Sequence, residues 1–204
     1  TGLYQTIDFI IASTEKSIHF FSKANNPASW TNTAVVKNGE EALRRIETGS
    51  TVVIGSMPTS SLILQAPRGN LETVYPRAMV LASVRKSLGQ LDFKKAYHDC
   101  RRHRIDLNVL IDVMGLDGFL QSADLLVKQL SFNQEYLSLF IAALKDEDTT
   151  KTKYHDGSAS NSVDGNIIEG KVNSVCEKIR SIIVKDYPQF TEALMTTYAK
   201  QQPS

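Results

Sequence analysis

Chemistry in a protein starts from nucleophiles, metal ligands and titratable groups held close together, and this 204-residue chain spaces few of them that way. Of its four histidines, His98 and His103 form the one compact grouping, His98-x-Cys100-x-x-His103. A helix turns ~100° per residue, which points His98 and His103 ~140° apart and leaves Cys100 on an apolar stripe, so the three do not converge on one metal. A thiol on such a stripe is also inert as a nucleophile. Asp106, Asp112 and Asp117 read as capping or solvated carboxylates, since nothing in their spacing gathers them. No phosphate-cradling glycine loop, nucleophile elbow, His-Glu-x-x-His or Cys-x-x-Cys motif occurs. These absences weigh against a self-contained enzyme, and no catalytic, cofactor or metal-ligating residue is expected.

Charge is the more informative feature. From Ser61 to Arg104 there are nine Lys and Arg against Glu72, Asp92 and Asp99, a net of +6; from Ile105 to Thr150 two basic residues face eight acidic ones, a net of −6. The total of +1 therefore conceals a charge dipole along the chain. On a helix opening behind the cap Asp92, with Phe93 at 0°, the residues Arg101, Lys94, His98, Arg102 and Lys95 fall between ~80° and ~200°. Phe93, Ala96, Tyr97 and Cys100 occupy the opposite face, so one helix carries a core stripe and a basic stripe. The basic stripe suits phosphates of RNA, with salt-dependent affinity. The alternative is a face that is solvated, or paired with the following acidic helices or with another subunit.

The elements that carry these residues fall into two halves. Up to Tyr75 the chain consists of short β-type runs closed by turn residues: Ile7–Ala12, Ser17–Phe21, Thr33–Lys37, Ala42–Ile46, Thr51–Ile54 and Leu62–Gln65, with Asn38-Gly39 as the strongest hairpin signal. Six short strands amount to about one and a half propeller blades of ~40–45 residues and leave edges open. After Pro76 the apolar period changes from 2 to 3.6. The stripes are Val80/Val84/Leu88/Leu91, Phe93/Ala96/Tyr97/Cys100, Leu137/Phe140/Ile141/Leu144, Val172/Val175/Cys176/Ile179/Ile182/Ile183 and Phe190/Ala193/Leu194. One stripe per helix and short connections suit antiparallel pairs stacked as an α-solenoid or irregular bundle. Residues 146–166 are almost devoid of apolar side chains and read as a mobile loop. The fold class expected is α+β by segregated halves, with domains at 1–75 and 76–204.

Composition sets the outer bounds. With 42% hydrophobic and 22% charged residues the chain has the make-up of an ordinary globular protein with a packed core. No apolar run reaches the ~18–20 residues needed to span a bilayer, and Thr1 to Asp8 lack a basic leader, so no membrane partner is expected. Two cysteines among helix formers and no Asn-x-Ser/Thr acceptor point to a reducing compartment. The opening at Thr1 suggests a piece of a longer polypeptide.

Several segments together resemble the largest subunit of the Elongator complex, the IKAP family. They are Leu64-Gln-Ala-Pro-Arg-Gly-Asn-Leu-Glu72, Pro76-Arg-Ala-Met-Val-Leu-Ala82, Arg85-Lys86, Leu91-Asp-Phe-Lys-Lys-Ala-Tyr97, Arg101-Arg-His-Arg-Ile-Asp-Leu-Asn108, Asp112 and Leu144-Lys-Asp-Glu-Asp-Thr-Thr-Lys-Thr152. The likeness is strongest from Leu62 to Leu130. It implies the end of a WD-type β-propeller followed by the start of an α-solenoid, with Arg68, Gly69 and Asn70 shaping the turn at the propeller exit. It further implies a non-catalytic scaffold beside a radical-SAM and acetyltransferase subunit and a second propeller subunit, serving the modification of wobble uridine in tRNA. The location implied is cytoplasmic and also nuclear, with homodimerisation through a region outside this segment. Under that resemblance Lys94, Lys95, His98, Arg101 and Arg102 become a candidate contact for another subunit or for tRNA.

Overall fold

The computed structural model describes residues 2–6, 9–22, 43–56, 58–154 and 167–201. The expected strand Thr33–Lys37 and the Asn38-Gly39 turn lie outside these residues. The chain divides into two compact units, with the boundary after Ser83.

The first unit holds two antiparallel sheets. Strands β1 (Gly2–Gln5), β2 (Phe9–Ser13), β3 (Ser17–Ser22) and β4 (Leu43–Arg45) lie side by side in chain order, and β5 (Thr51–Ser56), β6 (Ser61–Gln65) and β7 (Leu71–Val74) form the second sheet. Alternation sends Phe9 and Ile11 of β2 inward, and the register pairs Ile11 with Phe20. The Phe9 and Phe20 rings meet edge to face, centroids 6.4 Å apart. Ile18, Val52, Leu62 and Leu64 complete this core together with Met79 from helix α1 (Arg77–Gly89). A Cβ on Gly55 would stand 3.0 Å from Leu62 Cδ2 and 3.2 Å from Thr6 Cγ2, a separation that suits glycine.

Strand β7 lies between β6 and α1, where no strand was read in the sequence. Arg68, Gly69 and Asn70 sit in the β6–β7 hairpin, where the Ala66 N–H donates to the Asn70 carbonyl and the Gly69 N–H to the Ala66 carbonyl, both at 2.8 Å. Gly69 has a φ of +89°, a left-handed conformation that its lack of a Cβ permits. Alternation in β7 is masked in the sequence because Leu71 is exposed and Glu72 and Thr73 flank no buried partner of their own strand.

The second unit is helical. It contains the end of α1, then α2 (Phe93–His103), α3 (Val109–Asp112), α4 (Leu116–Leu130), α5 (Gln134–Ala142), α6 (Thr149–Thr152), α7 (Lys171–Asp186) and α8 (Thr191–Lys200). Helix α4 packs on α2, α5 and α7, and α8 packs on α5 and α7. Phe119 of α4 is the hinge of this interior: its ring meets Phe93 edge to face at 6.3 Å and Phe140 at 5.9 Å, and all three are fully buried. Burying such rings stabilises by ~1.5–3 kcal/mol each. The stripes expected on α2, α5 and α7 are buried, whereas Leu91, at φ +56° in the turn between α1 and α2, is partly exposed. No described helix is long and apolar enough to cross a membrane.

Candidate functional site

The outward face of α2 begins with its caps. Asp92 Oδ1 accepts the Lys95 N–H at 3.0 Å, and Gln129 of α4 bridges the tight turn by accepting the Lys94 N–H at 2.9 Å and donating to the Leu91 carbonyl at 2.8 Å. Phe93, Ala96, Tyr97 and Cys100 are fully buried, and Lys94, Lys95, His98, Arg101 and Arg102 are exposed. The structure divides these five. Lys94 and His98 turn toward α5: the Lys94 Nζ stands 4.3 Å over the Phe132 ring, and the His98 ring lies 6.1 Å from Phe132 and 5.5 Å from Tyr136. Phe132 itself is 55% exposed, so the flank presents cations beside an open aromatic face. Arg101 follows on the same edge, whereas Lys95 and Arg102 lie farther around the helix.

The remaining titratable groups on α2 are held quiet. Burial pushes the Cys100 thiol far up, with Asp99 and Asp106 adding to it, so the thiolate nucleophile is suppressed. Burial and the neighbouring Arg102 hold His103 below the ordinary histidine range. Tyr97 is raised by burial, and its buried hydroxyl finds no hydrogen-bond partner among the described residues. Among the described residues no three His, Cys, Asp or Glu side chains are arranged to hold a metal.

A second polar constellation gathers Asp106 and Asp112, read in the sequence as capping or solvated carboxylates, with the opening of the loop expected over 146–166; Asp106 does accept the Asn108 N–H beside its helix, but Asp112 is buried. Lys171, at the start of α7, is fully buried; its Nζ donates to Asp112 Oδ1 at 2.6 Å and to the Glu147 carbonyl at 2.9 Å. Asp112 Oδ2 accepts both the N–H and the Oγ1 hydroxyl of Thr149, at 2.8 and 2.7 Å. Asp146 Oδ1 accepts the Val172 N–H, and Glu147 pairs with Ile167 in an isolated antiparallel bridge. Asn108 donates to the Ala143 carbonyl and accepts the Lys145 N–H, while Lys153 reaches Asp106 at 2.7 Å. Burial alone pushes the Asp106 carboxyl up, but the hydrogen bonds from Lys153 and Asn108 outweigh it and hold Asp106 below the usual carboxylate range. Residues 146–154, expected to open a mobile loop over 146–166, thus carry the short helix α6 and the buried side chains of Thr149 and Tyr154; the rest of that loop lies outside the described residues.

Sequence patterns could not locate this clasp because its parts are separated by up to 59 positions. Asp106, Asn108, Asp112, Lys145, Asp146, Glu147 and Thr149 nevertheless fall in the segments Arg101–Asn108, Asp112 and Leu144–Thr152 singled out above, whereas Lys153 and Lys171 do not. Helix α4 was also missed, although Phe119, Ala123, Leu126, Val127 and Leu130 follow helical spacing and are all buried.

Comparison with known proteins places the chain in a family. The ELP1 alpha-solenoid family matches residues 77–204. Elongator complex protein 1 of Schizosaccharomyces pombe is 37% identical over 209 aligned positions, covering 99% of this chain and 16% of that protein. The Saccharomyces cerevisiae protein of the same name is 34% identical over 187 positions, 80% of this chain and 14% of its own length. The Arabidopsis thaliana one is 39% identical over 152 positions, 71% of this chain and 11% of its own length. The chain therefore spans about a sixth or less of the length of these relatives.

Proposed function

Because this chain belongs to the Elongator complex protein 1 family, as an internal segment of a longer relative, we propose that it is a non-catalytic scaffold segment of the Elongator complex. In this reading it supports modification of tRNA wobble uridine by a partner subunit, the radical-SAM and acetyltransferase one, with a second propeller subunit also held in the assembly. Residues 1–75 are the last strands of a propeller, and the helices after Pro76 open the solenoid. The observation that carries the proposal is how the polar residues are used. In the helical unit the buried carboxylates and the buried lysine are spent on holding helices to one another, while the cations of α2 are turned outward. That is the economy of a structural array with a charged contact face.

A second reading has its own support. An exposed ring beside Lys94 and His98 resembles the cation and aromatic pairing on which unstacked bases rest, so the face could meet tRNA directly. One experiment separates the two. In the full-length protein, Lys94, Lys95, Arg101 and Arg102 are replaced by serine, then subunit co-purification and the salt dependence of tRNA binding are measured. The scaffold reading expects loss of a subunit. Direct tRNA contact expects an intact complex whose tRNA salt slope is flatter by up to ~4 phosphates. An intact complex with unchanged tRNA affinity overturns both.

A further inference from the structure

At the C-terminal end of α2 the chain forms a cleft of about 410 Å³, lined in part by Arg101, Arg104, Ile105, Asp106, Leu107 and Lys145. Its shape is set by the helix terminus: Arg104 adopts a left-handed conformation at φ +54°, its N–H turned to the Arg101 carbonyl, and the Ile105 N–H closes on the Cys100 carbonyl at 2.9 Å. A non-glycine residue in that region is unusual, and here it caps α2 and puts Arg104 at the rim. Ile105 and Leu107 supply an apolar floor that is already almost fully buried.

Three cations line this one cleft, and their charged groups form no ion pair or side-chain hydrogen bond among the described residues. Among the described residues the one carboxylate lining the cleft, Asp106, is already engaged by Lys153 and Asn108. A site that collects positive charge over an apolar floor and spends none of it internally is complementary to an acidic, partly apolar ligand.

We infer that this cleft receives an acidic segment of a protein partner, an aspartate or glutamate facing Arg101, Arg104 and Lys145 with an apolar neighbour on Ile105 and Leu107. The inference rests on the scaffold reading and names the chemistry of one of its contacts. Guanidinium forks match carboxylates in a bidentate way, and a peptide side chain is small enough to meet the cations and the apolar floor together. A nucleic acid is the poorer fit: the cations are gathered at one spot, whereas a phosphate backbone presents its charges spaced along the strand.

The test uses the full-length protein and three labelled probes, followed by fluorescence anisotropy: a short peptide with glutamates flanking one leucine, its glutamine counterpart, and a short oligouridylate. The glutamate peptide is expected to bind roughly tenfold tighter than the glutamine one, and Arg104→Asn with Lys145→Gln to remove that preference. Lys145→Glu should weaken the acidic peptide and gain affinity for a lysine-bearing counterpart, which a merely misfolded variant would not do. Equal binding of both peptides, or preferential binding of the oligouridylate through the same residues, overturns the inference. The scaffold reading fails separately, when the quadruple serine variant described above leaves every subunit in the full-length complex.

Discussion

Lys171 and Asp112 show how much a single pair of residues decides in this molecule. Both side chains are withdrawn completely from water, and their bond at 2.6 Å is supplemented by Thr149 and the Glu147 carbonyl. The desolvation of two charges is recovered only when every partner is in place, so removing one side is far worse than removing both. Lys171→Met should cost ~3–5 kcal/mol in urea unfolding, and Lys171→Met combined with Asp112→Leu should cost less than the single change. A double variant less stable than either single one would contradict this account. The neighbouring Asp106–Lys153 bond adds a pH dependence. Asp106 is held below its ordinary value, so its contribution is present above the ordinary carboxyl range near ~4 and is lost as pH falls through the lowered value. The hydrogen bond to Asp106 raises Lys153 in turn, so that contribution is present below the ordinary lysine value and lost as pH rises through the raised one. Asp106→Asn should flatten the acid limb of the stability–pH curve; an unchanged limb would place the effect elsewhere. None of these partnerships was legible in the sequence, because an aspartate on a short helix looks the same whether it meets water or a lysine 59 positions away.

Elements were easier to read where one face alone is buried. The stripe of α2 was recoverable residue by residue, since Phe93, Ala96, Tyr97 and Cys100 repeat at helical spacing behind a capping aspartate. Strands β2, β3, β5 and β6 emerged from their β-branched and aromatic runs, whereas β7 carries Leu71 outward and gives no inward alternation. Helix α6 was hidden by composition: Thr149-Thr-Lys-Thr152 has no apolar stripe, and its position comes from Asp148 capping it and Asp112 gripping Thr149. The β unit also draws on a helix. Met79 of α1 is fully buried among Phe9, Ile11 and Leu62, so a fragment ending at residue 75 leaves that core uncovered, and Leu3, Ile54 and Leu71 are already exposed on its strands. Such a fragment should aggregate or exchange its amides rapidly, and extension to residue 89 should slow that exchange in β2 and β6. A monomeric, cooperatively melting 1–75 fragment would contradict both the role of Met79 and the propeller proposal.

Across the whole chain, charge is sorted by use. The positive stretch presents Lys94, His98 and Arg101 on an exposed flank of α2, and the negative stretch contributes Asp106, Asp112 and Asp146 to the clasp that joins α3 and α6 to α7. The dipole was visible in the sequence as arithmetic; its division into an outward surface and an inward clasp required the folded positions. The central claim, that the outward surface is a subunit contact, is tested most directly by lysine acylation rates in the full-length protein, alone and in the assembled complex without tRNA. Lys171 serves as the internal control, since it is buried in both states and should label slowly in both. The account predicts that Lys94 and Lys145 label several-fold more slowly in the complex while Lys185, on the exposed side of α7, keeps its rate. Equal rates for Lys94 and Lys145 before and after assembly would contradict it.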